Sequence, residues 1–270
     1  MKIPDNVHRF IEPSSWWFCK EVYPTVHVHG EYELIFCLSG EAYAYIDEKE
    51  YHLTDGKGVF VFPYQVHSYE TVVKGEFCVV IFKPEMIPTF KEKLSRRIPE
   101  KHSFEFNGND DISKVLYASK SQYDVEKDKY RLLLAGYINF MVDCVYKKME
   151  FAHIDYKDAQ LYEQILEYCN ERYTETVFVS EIAKVLLTNP NRISRVFNNN
   201  MKMGIPRYIE ALRFSKACQL IETSDYSIAK ISEEAGFGSI RSLNRAFENF
   251  LKITPKQYKK RIENNQKYDS

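Results

Sequence analysis

The sequence lacks the features that would place the chain in a membrane, outside the cell or among disordered proteins. Its longest purely apolar run, Phe77–Phe82, has six residues, far short of the roughly 20 that span a bilayer. No apolar segment follows Met1, so no secretory signal is expected. The six cysteines form no Cys-x-x-Cys pair, which favours reduced thiols in a cytoplasmic protein without a membrane partner.

The sequence also lacks the usual signatures of an enzyme. It contains no Ser/His/Asp or Cys/His constellation and no glycine-rich phosphate loop, so neither a catalytic residue nor a cofactor is predicted. What it does contain is aromatic bulk, with 20 tyrosines and 18 phenylalanines among 270 residues, and a hydrophobic content of 44%. Such a chain can form one large folded domain or two ordinary ones.

Charge is nearly balanced overall, with 37 basic and 38 acidic residues, but it is unevenly distributed. Residues 156–270 carry 18 basic and 14 acidic side chains, a net charge of +4. Residues 1–155 carry 19 and 24, a net charge of −5. Between 182 and 209 there are five basic residues and no acidic one. Only the C-terminal half is therefore suited to a polyanion.

Residues 1–95 have the pattern of short strands separated by turns. Glycine and proline punctuate four apolar runs, which are Glu31–Leu38, Ala42–Ile46, Gly58–Phe62 and Phe77–Phe82. The first run is expected to close at Ser39-Gly40. This spacing predicts a small antiparallel barrel or sandwich.

From about residue 110 the apolar period changes to that of amphipathic helices. A short helix is predicted at Asp111–Gln122, and a longer one runs from Tyr130 to Val145 with apolar residues at i, i+3, i+4 and i+7. This apolar stripe is long enough to contact a second subunit as well as its own domain, so we expect a homodimer through the 110–150 region. Residues 151–158 lose the pattern and are expected to be a linker.

The C-terminal half contains an internal repeat of about fifty residues. The pairs at an offset of 50 are Arg195 and Arg245, Phe197 and Phe247, and Tyr208 and Tyr258. Each unit is predicted to contain two short helices joined by a tight turn, at Ser180–Leu187 and Asn191–Asn200, then at Ile228–Glu234 and Ser239–Phe250. Asn189 and Ser239 can cap the second helices. This arrangement predicts two helix-turn-helix motifs that bind double-stranded DNA.

The second helix of each unit is expected to present its polar side to base edges. The residues predicted to pack inward are Ile193, Val196, Phe197, Leu243, Ala246 and Phe247. The residues left to contact DNA are Asn191, Arg192, Ser194, Arg195, Ile240, Arg241, Asn244 and Arg245. Arginine can bind guanine, and asparagine adenine, through two hydrogen bonds. A salt bridge that fixes the turn is the alternative role for Arg195 and Arg245.

The C-terminal half resembles the AraC/XylS family of transcription regulators over about residues 160–262. The matching stretches are Glu181-Ile-Ala183, Asn189–Phe197, Arg213-x-x-x-Ala217, Ile228–Phe247 and Ile253–Tyr258. Lys202 and Lys252 stand where a glycine is usual after the recognition helices, and Gly204-Ile205 replaces the commoner Ser-Phe or Ser-Pro. These departures affect helix ends rather than the face that would read DNA.

The N-terminal half is similar to the cupin barrel that such regulators carry. His27–Gly40 resembles the first cupin motif and Gly56–His67 the second. Because alternate side chains of a barrel strand face its interior, the residues expected to line an effector site are His27, His29, Glu33, Ile35, Phe60, Phe62, Tyr64 and His67. Four of these, His27, His29, Glu33 and His67, are also of the types that hold a transition metal. The second motif is one residue short, which leaves open whether His67 reaches the other three. We expect polar effector contacts and no metal, and a purely structural network of these side chains is the further alternative.

The resemblance implies an α+β chain of two domains. These are a cupin-like β-barrel with dimerisation helices (1–150), then a linker (151–158) and an all-α domain with two helix-turn-helix motifs (159–270). It implies a dimeric activator that binds a promoter, contacts RNA polymerase and responds to a small-molecule effector. Two alternatives remain: a metal-dependent cupin enzyme or metal sensor fused to a DNA-binding domain, and a regulator controlled by a protein partner, with the barrel only a dimer scaffold.

Overall fold

The computed structural model describes residues 14–95, 97–123 and 131–267. Met1 and Tyr130, which the sequence analysis used, lie outside these ranges. The chain folds into a β-sheet domain followed by a helical domain. Over the described ranges, none of the helices combines the length and the apolar character that crossing a membrane requires.

The N-terminal domain is built on a six-stranded antiparallel sheet. Its strands are β1 (Ser14–Cys19), β2 (Tyr32–Ile46), β3 (Lys49–Leu53), β4 (Lys57–Val61), β5 (His67–Phe82) and β7 (Ser103–Glu105). They are ordered β1-β5-β2-β4-β7, and β3 also pairs with β2. The two long strands, β2 and β5, pair with each other over most of their length and form the centre of the sheet.

Strand β2 does not end at Ser39-Gly40, where the sequence analysis expected it to close. Gly40 has a φ of +96°, and a Cβ atom there would lie 2.7 Å from the carbonyl oxygen of Val73. The pairing register shifts between Cys37 and Ala42, so the glycine forms a bulge at which the strand continues. The expectation was wrong because glycine favours a bulge as readily as a turn.

Both faces of the sheet are apolar and buried, but against different partners. Leu34 and Phe60 pack toward helices α2 (Asp111–Tyr123) and α3 (Arg131–Lys148). Ile35 and Val79 lie on the opposite face and belong to a second core within the sheet. The predicted amphipathic helices are confirmed, and the residues of α3 that are fully buried are Ile138, Met141, Val142 and Val145.

The segment between the domains has more regular structure than predicted. After α1 (Pro88–Ser95), strand β6 (Arg97–Pro99) pairs with β8 (Phe151–His153). Helix α4 (Tyr156–Arg172) begins inside the expected 151–158 linker, because the Asp155 side chain accepts a hydrogen bond from the Lys157 amide at 2.9 Å. The predicted linker was therefore too long, since loss of an apolar period does not reveal a helix cap.

The helical domain contains two small cores that share one long helix. After α4 come α5 (Val179–Val185), α6 (Pro190–Met201), α7 (Ile205–Thr223), α8 (Ile228–Glu234), α9 (Ile240–Leu251) and α10 (Pro255–Lys267). Phe197 and Tyr208 lie in the first core, and Phe247 and Tyr258 lie in the second. Because α7 contributes to both cores, it fixes one unit relative to the other.

Candidate functional site

Each repeat unit forms the helix-turn-helix that its spacing predicts. Helices α5 and α6 are joined by residues 186–189, and α8 and α9 by residues 235–239. Asn189 caps α6 by accepting a hydrogen bond from the Arg192 amide at 2.9 Å. Ser239 caps α9 by accepting one from the Ser242 amide at 3.1 Å. Both predicted caps are confirmed.

The side chains predicted to read DNA lie on the outer faces of α6 and α9. All six residues predicted to pack inward are buried. Arg192 and Ser194 are half-buried, and the exposed residues are Asn191, Arg195, Ile240, Arg241, Asn244 and Arg245. The two helices therefore present polar surfaces of the same kind.

The two polar surfaces differ in how their arginines are held. Arg192 Nη2 lies 3.0 Å from Asp158 Oδ1, and Arg195 Nη2 lies 3.8 Å from Asp158 Oδ2. Asp158 belongs to α4, so the first unit places its own carboxylate against its arginines. No ion pair joins Arg241 or Arg245 to any residue that the structure describes. The salt bridge considered for Arg195 is present, at the longer of the two distances, 3.8 Å. For Arg245, no salt bridge is found within the described ranges.

A segment of the sheet domain, residues 22–29, contacts the helical domain and is named here the interdomain strip. The Tyr23 hydroxyl donates a hydrogen bond to Glu222 Oε1 at 2.7 Å. Thr25 Oγ1 lies 3.0 Å from the hydroxyl of Tyr258, which also donates to Glu222. These contacts connect the N-terminal domain to α7 and α10 of the second unit.

Apolar and backbone contacts extend the interdomain strip to both helix-turn-helix units. Val26 packs against the core of the second unit, and Val28 against the core of the first. The Val28 amide also donates to Ser215 Oγ in α7 at 3.3 Å. Sequence analysis missed these contacts. The one available signal was that Tyr208 recurs as Tyr258. The recurrence suggests a structural role for both tyrosines but does not show which residues they contact.

Four polar side chains converge where the interdomain strip meets the sheet, and they are named here the His–Glu cluster. His27 and His29 belong to the strip, Glu33 lies in β2, and His67 begins β5. The imidazole Nε2 atoms of His29, His67 and His27 lie 3.0, 3.4 and 3.8 Å from Glu33 Oε2. One ligand atom from each of the four residues lies within 4.8 Å of the others.

His67 reaches the other three residues despite the shortened second motif. His27 and His67 exchange two backbone hydrogen bonds of 2.9 and 3.1 Å. This bridge brings their ring centroids to 4.0 Å. The sequence left open whether His67 reaches the other three residues, and this pairing shows that it does. The paired residues are 40 positions apart, so the spacing within each motif could not reveal the contact.

Backbone carbonyls fix the Nδ1 atoms of two histidines. His27 Nδ1 lies 2.7 Å from the Thr25 carbonyl oxygen, and His67 Nδ1 lies 2.9 Å from that of Gln65. A carbonyl oxygen only accepts hydrogen bonds, so Nδ1 carries the proton in both rings. The Nε2 atoms of both rings face Glu33.

Burial and neighbouring groups set the charges of the cluster. Glu33 and His67 are each 2% exposed. Burial raises the pKa of Glu33, but the surrounding imidazoles lower it by more, to well below its ordinary value. Burial and the neighbouring His27 lower the pKa of His67 to about 3. Glu33 is therefore an ionised carboxylate beside a neutral His67.

Tyr69 completes the cluster, although the sequence analysis did not include it. Its hydroxyl donates a hydrogen bond to Glu33 Oε1 at 2.8 Å, which leaves Glu33 Oε2 facing the histidines. Tyr69 lies two residues after His67 in β5, and residues i and i+2 of a strand share a face. That alternation was the signal that could have identified it.

The other four predicted effector contacts lie elsewhere. Phe60 and Phe62 pack toward α3, on the face of the sheet opposite Glu33. Ile35 shares the face of Glu33 but is 1% exposed within an apolar core. Tyr64 packs against the core of the first helix-turn-helix unit. Alternation predicts which residues of one strand share a face, but not how the faces of two strands align.

Comparison with known proteins gives matches in both halves of the chain. Residues 11–138 match the family described as "AraC-like ligand binding domain". Residues 182–261 match the family described as "Helix-turn-helix domain". The two matches correspond to the parts that contain the His–Glu cluster and the paired helix-turn-helix units.

Individual relatives are distant but cover much of the chain. The Msm operon regulatory protein of Streptococcus mutans is 24% identical over 137 residues, which are 50% of this chain and 49% of that protein, so the match spans about half its length. The HTH-type transcriptional activator RhaR of Mannheimia succiniciproducens is 19% identical over 88% of this chain and 87% of its own. A structure of ToxT from Vibrio cholerae with bound unsaturated fatty acid shares the fold, with a TM-score of 0.65 and 16% identity over 91% of this chain and 94% of ToxT.

Proposed function

The chain belongs to the AraC/XylS family of transcription regulators, and on this premise we propose that α6 and α9 read two successive segments of promoter DNA under the control of a ligand at the His–Glu cluster. The pair of exposed polar surfaces on α6 and α9 is the observation that carries the proposal. Helix α7 joins them and has 19 residues, or about 28 Å at ~1.5 Å per residue. This length suits recognition helices placed about one ~34 Å turn of DNA apart.

The exposed side chains suit direct contact with bases in the major groove. We propose that Arg195 and Arg245 donate two hydrogen bonds to guanine, and that Asn191 and Asn244 pair with adenine. Ile240 is 45% exposed at the start of α9, where an aliphatic side chain can contact the methyl group of thymine. The proposed interface thus contains one arginine and one asparagine for each groove segment, with an apolar contact in the second.

We propose that two chains act together as a homodimer through α3. Leu133 and Phe140 are 37% and 44% exposed, and a spacing of seven places them on one face of the helix. Tyr117 of α2, 63% exposed, adds to the apolar surface of this region. The residues Leu134 and Tyr137, which the sequence stripe also included, pack against the chain's own core. A symmetric dimer would place two DNA-binding domains on paired sites.

We extend three further properties from the family to this chain. The bent sheet with its apolar inner core is proposed to be a cupin-like barrel within an effector domain of residues 1–150, ahead of a DNA-binding domain at 159–270. RhaR is described as an activator, and activation through contact with RNA polymerase is proposed here. Because promoter DNA is the partner, we place the protein in the cytoplasm.

The proposed route from ligand to DNA is the interdomain strip. Side chains alternate on either side of the β-bridge at His27, so this part of the strip has two functional faces. His27 and His29 contribute to the His–Glu cluster, whereas Val26 and Val28 pack against the helical domain. A ligand that draws the histidines toward Glu33 therefore shifts the valines and changes the placement of the recognition helices.

The DNA-binding proposal is tested with the full-length chain. A preferred duplex is selected from random sequences, and its affinity is measured by fluorescence anisotropy over a salt series. Arg245→Ala is expected to lose about 1–3 kcal/mol of binding free energy and to relax the preference at one base position. Lys114→Ala removes an exposed cation that pairs with Asp111 at 2.7 Å in the sheet domain, and it should bind as the wild type does. Equal affinity for selected and scrambled duplexes would contradict the proposal.

A further inference from the structure

We propose that the ligand of the His–Glu cluster is a divalent transition-metal ion, bound by His27, His29, Glu33 and His67. Its regulatory meaning rests on the proposed function, because it identifies the ligand that controls DNA binding. The binding event itself can be measured without DNA. The proposal differs from the sequence-based expectation of polar effector contacts, and it is made because the structure assembles all four residues.

The donor set and its dimensions suit such an ion. Three imidazole nitrogens and one carboxylate oxygen are ligands that Zn²⁺, Fe²⁺, Mn²⁺ and Ni²⁺ accept. Around tetrahedral zinc, bonds of about 2.0–2.1 Å separate neighbouring ligand atoms by about 3.3 Å. The three Nε2–Oε2 distances of 3.0, 3.4 and 3.8 Å bracket that separation. Small side-chain rotations would bring the four atoms to bonding distance.

The surroundings of the cluster resemble those of a bound metal's ligands. Metal-binding histidines usually donate their other N–H to a carbonyl or carboxylate, which orients the ring. Carbonyls accept from His27 and His67, whereas the buried His29 Nδ1, 3.5 Å from Glu31 Oε2, makes no hydrogen bond to the residues that the structure describes. Tyr69 fixes the free oxygen of Glu33. Three of the four ligands therefore have an outer partner that holds them in place.

The position of the cluster gives the ion a regulatory role. Two of its four ligands lie in the interdomain strip, and the other two lie in β2 and β5. Binding would add a second connection between the strip and the sheet, beside the backbone bridge of His27 and His67. Since Val26 and Val28 contact the second and first helix-turn-helix cores, the free energy of metal binding is linked to the placement of both recognition helices.

Metal binding is tested first, in the absence of DNA. The full-length protein is stripped of metal and titrated with Zn²⁺ by calorimetry, and its Co²⁺ complex is recorded by visible absorption. We expect one ion per chain. His67→Ala and Glu33→Gln should weaken binding at least about 100-fold, and Tyr69→Phe, which keeps every ligand, about 10-fold. His52→Ala is the control, because His52 pairs with Glu41 at 2.8 Å on the exposed surface and should not alter binding.

Two results would overturn the metal site. One is wild-type protein that binds neither Zn²⁺ nor Co²⁺ stoichiometrically, and the other is binding that folded His67→Ala retains. If His67→Ala fails to fold, the Co²⁺ spectrum of the wild type decides, because imidazole and carboxylate coordination differs from that of hydrated Co²⁺. A hydrated spectrum would overturn the site.

The regulatory role is tested with the selected duplex. Zn²⁺-loaded and metal-free protein are expected to differ at least about 5-fold in DNA affinity, and His67→Ala should abolish the difference. Equal affinities of the loaded and free forms, with stoichiometric metal, would overturn regulation by the ion. Loss of sequence preference in both forms would instead contradict the proposed DNA-binding function, and the metal titration would be unaffected by that outcome.

Discussion

The two helix-turn-helix units have one backbone plan and two sets of attachments. Both turns contain a residue with positive φ, Leu187 at +50° and Gly236 at +79°. Both recognition helices are followed by a left-handed lysine, Lys202 at +59° and Lys252 at +56°. The repeat therefore extends to the backbone conformation of its turns and helix ends, and the differences between the units lie in the contacts of their side chains.

Those contacts give the two units different relations to the rest of the molecule. In the first unit, Asp158 of α4 lies against Arg192 and Arg195. In the second, no such ion pair is found among the described residues, but Tyr258 contacts Thr25 and Glu222 at the interdomain strip. The repeated fold thus fixes where the recognition helices lie, whereas neighbours that are not repeated decide how freely each helix meets DNA.

The largest expected difference between the units is at their turns. A Cβ atom at Gly236 would lie 2.5 Å from Thr174 Cα, with φ at +79°, so Gly236→Ala meets both backbone strain and a backbone clash. We expect it to destabilise the helical domain by about 2–4 kcal/mol. Leu187 is 94% exposed, and Leu187→Ala should change stability by less than about 0.5 kcal/mol. Urea unfolding followed by circular dichroism measures both, and equal effects would contradict the structural difference.

Sequence predicted the helical half well because its signals are local. The 3.6-residue period and the caps Asn189 and Ser239 each depend on nearby residues, and the fifty-residue repeat shows the same local pattern twice. The candidate ligand site depends on distant pairings instead. His67 joins the cluster through a bridge to His27, and Tyr23 finds its acceptor 199 residues away. Patterns of residue type suggested the members of the cluster, but only strand register could assemble them.

The Asp158 carboxylate distinguishes the first unit from the second, and a substitution can remove it. Asp158→Asn should raise the affinity for the selected duplex by about 0.2–1 kcal/mol, the range for partly exposed ion pairs. The reason is that the carboxylate, which competes with phosphate and base edges for Arg192 and Arg195, is absent from the variant. Fluorescence anisotropy against the selected duplex measures this change. Glu167→Gln, an exposed charge change on the same helix, is the control for net charge.

A double-mutant cycle separates this competition from a general charge effect. In an Arg195→Ala background, Asp158→Asn should gain less affinity than in the wild type, since one of its two partners is gone. An equal gain in both backgrounds would mean that Asp158 acts through long-range charge and not through Arg195.

The last expected difference lies at the helix ends, where the two units are most alike. A residue other than glycine costs about 1–2 kcal/mol of folding free energy in the left-handed conformation. Replacing it with glycine removes this cost, but the greater entropy of glycine in the unfolded chain offsets part of the gain. Lys252→Gly should therefore stabilise the chain by about 0.5–1 kcal/mol. Lys202→Gly should gain less, because the Lys202 ammonium donates a hydrogen bond to the Asn199 carbonyl that the variant loses. Lys252→Ala keeps the Cβ atom and should show no gain in stability when unfolding is measured in urea. A gain equal to that of Lys252→Gly would show that the cost comes from the charge of the side chain and not from the backbone conformation.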